Sequence, residues 1–180
     1  MLRPLNPLKR LLRRPATAAE IYGAIVAQAR LRAFYRAVGV PDTLEGRFAV
    51  LALHLFAVLH RLKSEGASGA ALAQDLMDRF SKDMETVLRE LGVSDLKIPK
   101  KMRALAGSSL GQLRTYEEAI AAGSDAMEAA VADALPLDKD RAKAVSVRLA
   151  AYVEAAVRDL KTQSLAALGE GRVSFPALGA

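Results

Sequence analysis

Apolar positions along this chain recur at steps of three and four, and no segment sustains a step of two. That period puts side chains on one face of an α-helix rather than alternately on two faces of a strand. The expected fold is therefore all-α, a compact single-domain helical bundle of about six helices. The first helix is expected to begin at Thr17, where Thr17-Ala18-Ala19-Glu20 reads as a capping box. Ala24, Ala27, Leu31, Phe34 and Val38 follow at helical spacing, and Gly39 ahead of Pro41 ends the run.

The second helix is expected to start with Asp42 as N-cap and Glu45 in a box-like position. Leu44, Phe48, Leu51, Leu55, Val58 and Leu62 then form its stripe, and Ala52, Phe56 and Leu59 widen it. A helix apolar over so wide an arc is expected to be buried on more than one side. Between Arg47 and Arg61 lie 13 uncharged residues, short of the ~20 that a membrane span needs. Residues 64–70 read as a turn. A third helical region spans 70–91, interrupted near Ser81, with Met77, Phe80, Met84, Val87 or Leu88, and Leu91 inward. A fourth spans 99–121, with Met102, Leu105, Leu113, Tyr116 and Ile120 inward and a bend at Gly107-Ser108-Ser109. A short helix at 125–134 precedes Pro136. The last long helix starts at Asp138 and carries Val145, Leu149, Val153, Ala156 and Leu160. By this reading residues 1–15 form a basic flexible tail, 16–168 the helical domain, and 169–180 a flexible C-terminal tail.

Composition changes this picture in two ways. The chain has 180 residues and no cysteine, which removes disulfides, thiolate metal sites and a cysteine nucleophile. Its net charge of +6 is concentrated: Arg3, Lys9, Arg10, Arg13 and Arg14 supply five positive charges before the first acid. Pro4, Pro7 and Pro15 argue against one regular helix through that stretch. Its longest uncharged apolar run is two residues, so it lacks a secretory core. A solvated tail, a contact with anionic membrane and a contact with ribosomal RNA all fit an acid-free basic segment. It also resembles part of a mitochondrial presequence.

Catalytic chemistry is hard to find. His54 and His60 diverge by about 120° around a helix and cannot share one metal from one face. No metal site, catalytic residue or cofactor is expected. Gly66-Ala67-Ser68-Gly69 and Gly107-Ser108-Ser109-Leu110-Gly111 lack the strand that precedes a phosphate loop. Asp138-Lys139-Asp140 sits where a helix start favours acids. Arg47, His54 and Arg61, seven apart, line one edge of the second helix. They fit either a shallow cationic groove for an anionic group or three side chains that snorkel or pair within the fold. The Met77/Phe80/Met84 stripe likewise fits core packing or an adaptable apolar surface. Lys97, Lys100, Lys101 and Arg103 form a second basic cluster. There is no Trp and no aromatic interleaving with these bases, which speaks against single-strand nucleic-acid binding, and no specific DNA binding is expected.

Several ordered segments carry a resemblance. They are Phe34-Tyr35, Val40-Pro41-Asp42-Thr43-Leu44-Glu45-Gly46-Arg47-Phe48, Leu53-His54-Leu55-Phe56, Arg61-Leu62-Lys63, Gln74-Asp75-Leu76, Asp83-Met84, Leu88-Arg89-Glu90-Leu91-Gly92-Val93 with Asp95-Leu96, and Pro99-Lys100-Lys101-Met102. In this order, over residues 30–120, the chain resembles the ubiquinol–cytochrome c chaperone family, whose members help assemble the respiratory bc1 complex. It departs at Gly111-Gln112, where Gly-Arg is expected. The resemblance implies a non-enzymatic assembly factor that binds newly made cytochrome b or another bc1 subunit, in some members with a small helical partner close to the ribosome. It implies a location at the membrane surface: the cytoplasmic face of the inner membrane in a bacterium, the matrix side in a mitochondrion. Client or ligand contacts are expected at Phe34, Tyr35, Arg47, Phe48, His54 and Arg61, and membrane or ribosome contacts at Arg3, Lys9, Arg10, Arg13 and Arg14. The alternative is a lipid- or small-ligand-binding helical module using the Arg47/His54/Arg61 edge.

Overall fold

A computed structural model describes residues 7–178, with side chains from Ala16 onward. The fold is all-α. Seven α-helices and one π-helical turn follow in the described residues: α1 (Pro7–Ala29), the π turn (Phe34–Val38), α2 (Leu44–Lys63), α3 (Gly66–Glu90), α4 (Ile98–Ala122), α5 (Ser124–Ala134), α6 (Lys139–Thr162) and α7 (Leu165–Gly169). Helix α2 is the central member and packs on α1, α3, α4 and α6.

The first helix differs from the sequence expectation at both ends. It begins at Pro7, a residue suited to a first helical position because the missing N–H has no partner there anyway. It continues through Pro15 at the cost of one helical hydrogen bond. Thr17 therefore lies inside the helix rather than at its start, and its Oγ1 donates to the Gly169 carbonyl at 3.3 Å. The inward face is Ala18, Ile21, Tyr22, Ile25 and Ala29, not Ala24, Ala27 and Leu31. Rotation to this face buries two isoleucines and a tyrosine where the other would bury mostly alanine. The helix stops at Ala29, ten residues before Gly39, and the Tyr35 hydroxyl donates to the freed Ala29 carbonyl at 2.7 Å. Gly39, at φ 98°, closes the π turn in the left-handed region.

Helix α2 is capped by Thr43, whose Oγ1 accepts from the Gly46 amide at 3.2 Å. Asp42, expected in that role, pairs with Arg47 instead. A Cβ on Gly46 would stand 2.1 Å from the Pro41 carbonyl oxygen. Glycine at this position is what lets the Val40-Pro41 segment cross the first turn of α2. Beyond it, every residue from Ala52 to Val58 is buried, as expected for a helix covered on several sides. The turn after α2 is only Ser64-Glu65, shorter than expected, and α3 runs without interruption through Ser81. Phe80 and Met84 are core, with Met77 packed against them.

Helix α6 follows its sequence pattern: Asp138 caps it by accepting from the Arg141 amide, and Val145, Leu149, Val153, Ala156 and Leu160 are all buried. The stretch after Gly169, expected to be a flexible tail, lies against the core. Gln163 holds Ser174 at both ends of its amide, donating to the Ser174 carbonyl at 2.8 Å and accepting from the Ser174 amide at 3.1 Å. Val173, Phe175 and Leu178 pack on the core. Three apolar side chains and a paired amide make this segment an element of the fold, although it has no helical or strand period of its own.

Candidate functional site

The residues singled out by sequence divide into an interior cluster and scattered surface positions. His54 is 1% exposed. Its Nδ1 lies 2.8 Å from the Val50 carbonyl, which only accepts, so Nδ1 carries the proton. Nε2 is then the acceptor, and the Tyr152 hydroxyl donates to it at 2.9 Å. Tyr152 in turn accepts from the Gln28 amide at 3.0 Å. A one-directional chain thus links α1, α6 and α2. Phe34 and Phe175 close edge-on over the imidazole at 5.3 and 5.0 Å between centroids. Burial holds the His54 pKa down at about 4, outweighing the Val50 hydrogen bond. Burial likewise pushes the Tyr152 phenol up to about 12. His54 is a neutral, internally satisfied core residue.

Arg61 is also interior. Its Nε donates to the Leu160 carbonyl at 2.9 Å and its Nη2 to the Gln163 carbonyl at 3.1 Å, which satisfies the C-terminal end of α6. Nη1 pairs with Glu65 and Ser64. Arg47 is exposed, and its guanidinium beside Asp42 holds that carboxyl below the usual carboxylate range. The expected cationic edge is therefore no continuous surface: two of its three members are buried and the third is paired. Phe34 is fully buried. Tyr35 and Phe48 are half-buried, and Phe48 tilts against Phe80 at 6.3 Å. Arg3 lies outside the described residues. Lys9, Arg10, Arg13 and Arg14 lie on the first turns of α1, and their side chains are outside the described set.

The other histidine serves the surface of α2. His60 Nδ1 and Lys63 Nζ each reach a Glu117 oxygen at 2.9 Å, tying α2 to α4. Partial burial would raise the Glu117 pKa, but the Lys63 and His60 hydrogen bonds lower it on balance. Beside this cluster an open hollow of about 300 Å3 is lined by Phe56, Leu59, Leu113, Lys63, Arg114 and Glu117. Among the described residues no cluster of three or more His, Asp or Glu is placed to hold a metal ion. No described helix is long and apolar enough to cross a membrane. Tyr152, Gln28, Phe175 and Glu117 carry much of this geometry, yet no local pattern marks them. Each gains its role from a helix remote in sequence.

The arrangement is that of an all-α helical bundle whose two histidines serve its own packing and helix joining. The family model for the ubiquinol-cytochrome C chaperone matches residues 36–175, and the chain belongs to that family. It is 25% identical over 114 residues to the ubiquinol-cytochrome-c reductase complex assembly factor 1 of Xenopus laevis, covering 63% of this chain and 57% of that protein. The human counterpart is also 25% identical over 114 residues, with 38% of its length covered. The chain thus spans about two-fifths to three-fifths of these relatives. The crystal structure of the Cbp3 homolog from Brucella abortus matches with a TM-score of 0.82 and 35% identity over 98% of each chain.

Proposed function

We propose that this chain is a non-enzymatic assembly chaperone for the bc1 complex, holding newly made cytochrome b or another bc1 subunit near the membrane until later subunits join. The observation that carries this reading is the family match over residues 36–175. The likeness over nearly the whole chain to the Brucella abortus homolog supports it. A membrane-protein client offers apolar segments, and the chaperone must answer with apolar surface outside its own core. At the hollow between α2 and α4, the half-buried Leu59 and Leu113 offer such surface beside the buried Phe56. In a bacterial cell the place of action is the cytoplasmic face of the inner membrane.

Deleting the gene is expected to lower cytochrome b and bc1 activity selectively, leaving other respiratory complexes at normal levels. Unchanged bc1 in the deletion strain sinks the proposal. Crosslinking in cells, followed by identification of the bound chain, tells whether the client is cytochrome b, another bc1 subunit or a small helical partner protein.

A further inference from the structure

We propose that the connection between α3 and α4 is a docking tip for an anionic lipid bilayer, with Leu91 and Leu96 entering the interface and Lys97, Lys100, Lys101 and Arg103 meeting lipid phosphates. Leu96, 95% exposed, is the most open large apolar side chain among the described residues, and Leu91, 58% exposed, lies at the same connection. They are held out by a formed turn rather than by fraying. Gly92, at φ 79°, closes α3, with its amide on the Arg89 carbonyl and the Val93 amide on the Leu88 carbonyl at 3.0 Å. The Lys97 amide then closes on the Ser94 carbonyl at 2.8 Å, which leaves Leu96 inside the turn with its side chain in water.

The tip also projects. Helices α2 and α3 are joined by a two-residue turn, and α3 is 25 residues long against 20 for α2. It therefore overruns the start of α2 by about 7 Å at the helical rise. Charge completes the case. The four cations are exposed, and none has an ion-pair partner among the described residues. The acids nearby include Glu90, Asp78, Glu85 and Asp95; Asp78 accepts from Gln74, and Glu85 and Asp95 pair with Arg89. A projecting turn with two bare leucines and an unpaired basic collar fits a flat, anionic, penetrable surface better than a client helix, which seats in a groove. This inference stands on geometry and charge and does not depend on the assembly reading.

The chain contains no Trp, so Leu96→Trp in the full chain introduces a single indole reporter at the tip. With vesicles of phosphatidylcholine mixed with phosphatidylglycerol, its emission is expected to shift to shorter wavelength and to be quenched by brominated acyl chains. Vesicles of phosphatidylcholine alone are expected to bind weakly. Leu91→Ser with Leu96→Ser should weaken sedimentation with the anionic vesicles at least about ten-fold, and neutralising the four cations to Gln should flatten its salt dependence. Both variants change exposed side chains, so circular dichroism should remain that of the parent. Substituting Arg10, Arg13 and Arg14 by Gln separates the contribution of α1. The proposal is overturned if the indole stays water-exposed on bound vesicles. It is equally overturned if the double serine variant binds as the parent does, or if the α1 substitutions alone abolish binding. Loss of client crosslinking without any vesicle binding assigns the tip to protein contact and rejects the bilayer.

Discussion

Tyr152 on α6 donates its hydroxyl hydrogen to His54 Nε2 on α2 across 2.9 Å, and the Val50 carbonyl on the other side of the ring fixes that direction. Tyr152→Phe removes the donor and leaves a buried ring nitrogen without a partner. The expected loss is about 1–3 kcal/mol, measured as a lower midpoint in urea. The double variant with His54→Phe should lose less than the sum of the two single changes, because one hydrogen bond is being counted twice.

Protonation of His54 should destabilise the fold. Its folded pKa, about 4, lies below the unfolded value of 6.5, so between those values the unfolded chain binds more protons. The stabilising effect of a neutral His54 is complete above pH 6.5 and is lost as pH falls from 6.5 towards 4, amounting to about 3 kcal/mol at full extent. The difference in unfolding free energy between the parent and His54→Gln should therefore shrink on acidification across this window. A difference that stays constant from pH 7 to about 5 contradicts a neutral, buried His54.

Phe175 shields the same ring from the C-terminal side, with 5.0 Å between centroids. Phe175→Ala is expected to cost about 2 kcal/mol, because the side chain is only partly buried. It should also admit water to His54 and raise the imidazole pKa from about 4, which NMR titration reads directly. An unchanged histidine titration means that the segment after Gly169 does not cover the ring in solution.

Arg61 acts as a cap supplied from another helix, holding the Leu160 and Gln163 carbonyls. Arg61→Ala leaves both without that partner and leaves Glu65 without its cation, with an expected loss of about 2–4 kcal/mol in chemical unfolding. Arg61→Lys should recover only part of it, since an ammonium cannot span both carbonyls and the carboxylate as the planar guanidinium does. Full recovery by lysine places the stabilisation in charge alone.

Two helical glycines should respond to alanine with opposite sign. At Gly107 a Cβ meets nothing within 4 Å, so Gly107→Ala is expected to stabilise by about 0.5–1 kcal/mol through helix propensity. At Gly46 the Cβ would stand 2.1 Å from the Pro41 carbonyl oxygen, and Gly46→Ala must displace backbone, for an expected loss above about 1 kcal/mol. Thermal unfolding of the two variants tests the contrast.

Helix positions were largely legible because steps of three and four mark them directly. The stripe Val145, Leu149, Val153, Ala156 and Leu160 is buried as its spacing predicts. The errors lie where a local signal met a tertiary competitor. The Thr17 box does not begin a helix, and Thr17 is drawn to Gly169. Asp42 yields the cap to Thr43 because Arg47 engages its carboxylate. The expected inward face of α1 was set by spacing alone, whereas the isoleucines and Tyr22 carried more apolar area to bury.

The chain alone determined its helical class, its central helix and, through the ordered segments from Phe34 to Met102, its family. Those properties depend on period and on neighbouring residues, which a linear reading contains. Tertiary structure decided what the charged and aromatic residues do. Spacing of seven puts Arg47, His54 and Arg61 on one edge of α2, yet packing leaves Arg47 exposed, encloses His54 among Phe34, Tyr152 and Phe175, and gives Arg61 to the end of α6. Burial and partner choice are set by segments about 100 residues away in sequence. The energetic effect of a buried polar group depends on those partners rather than on its own helix.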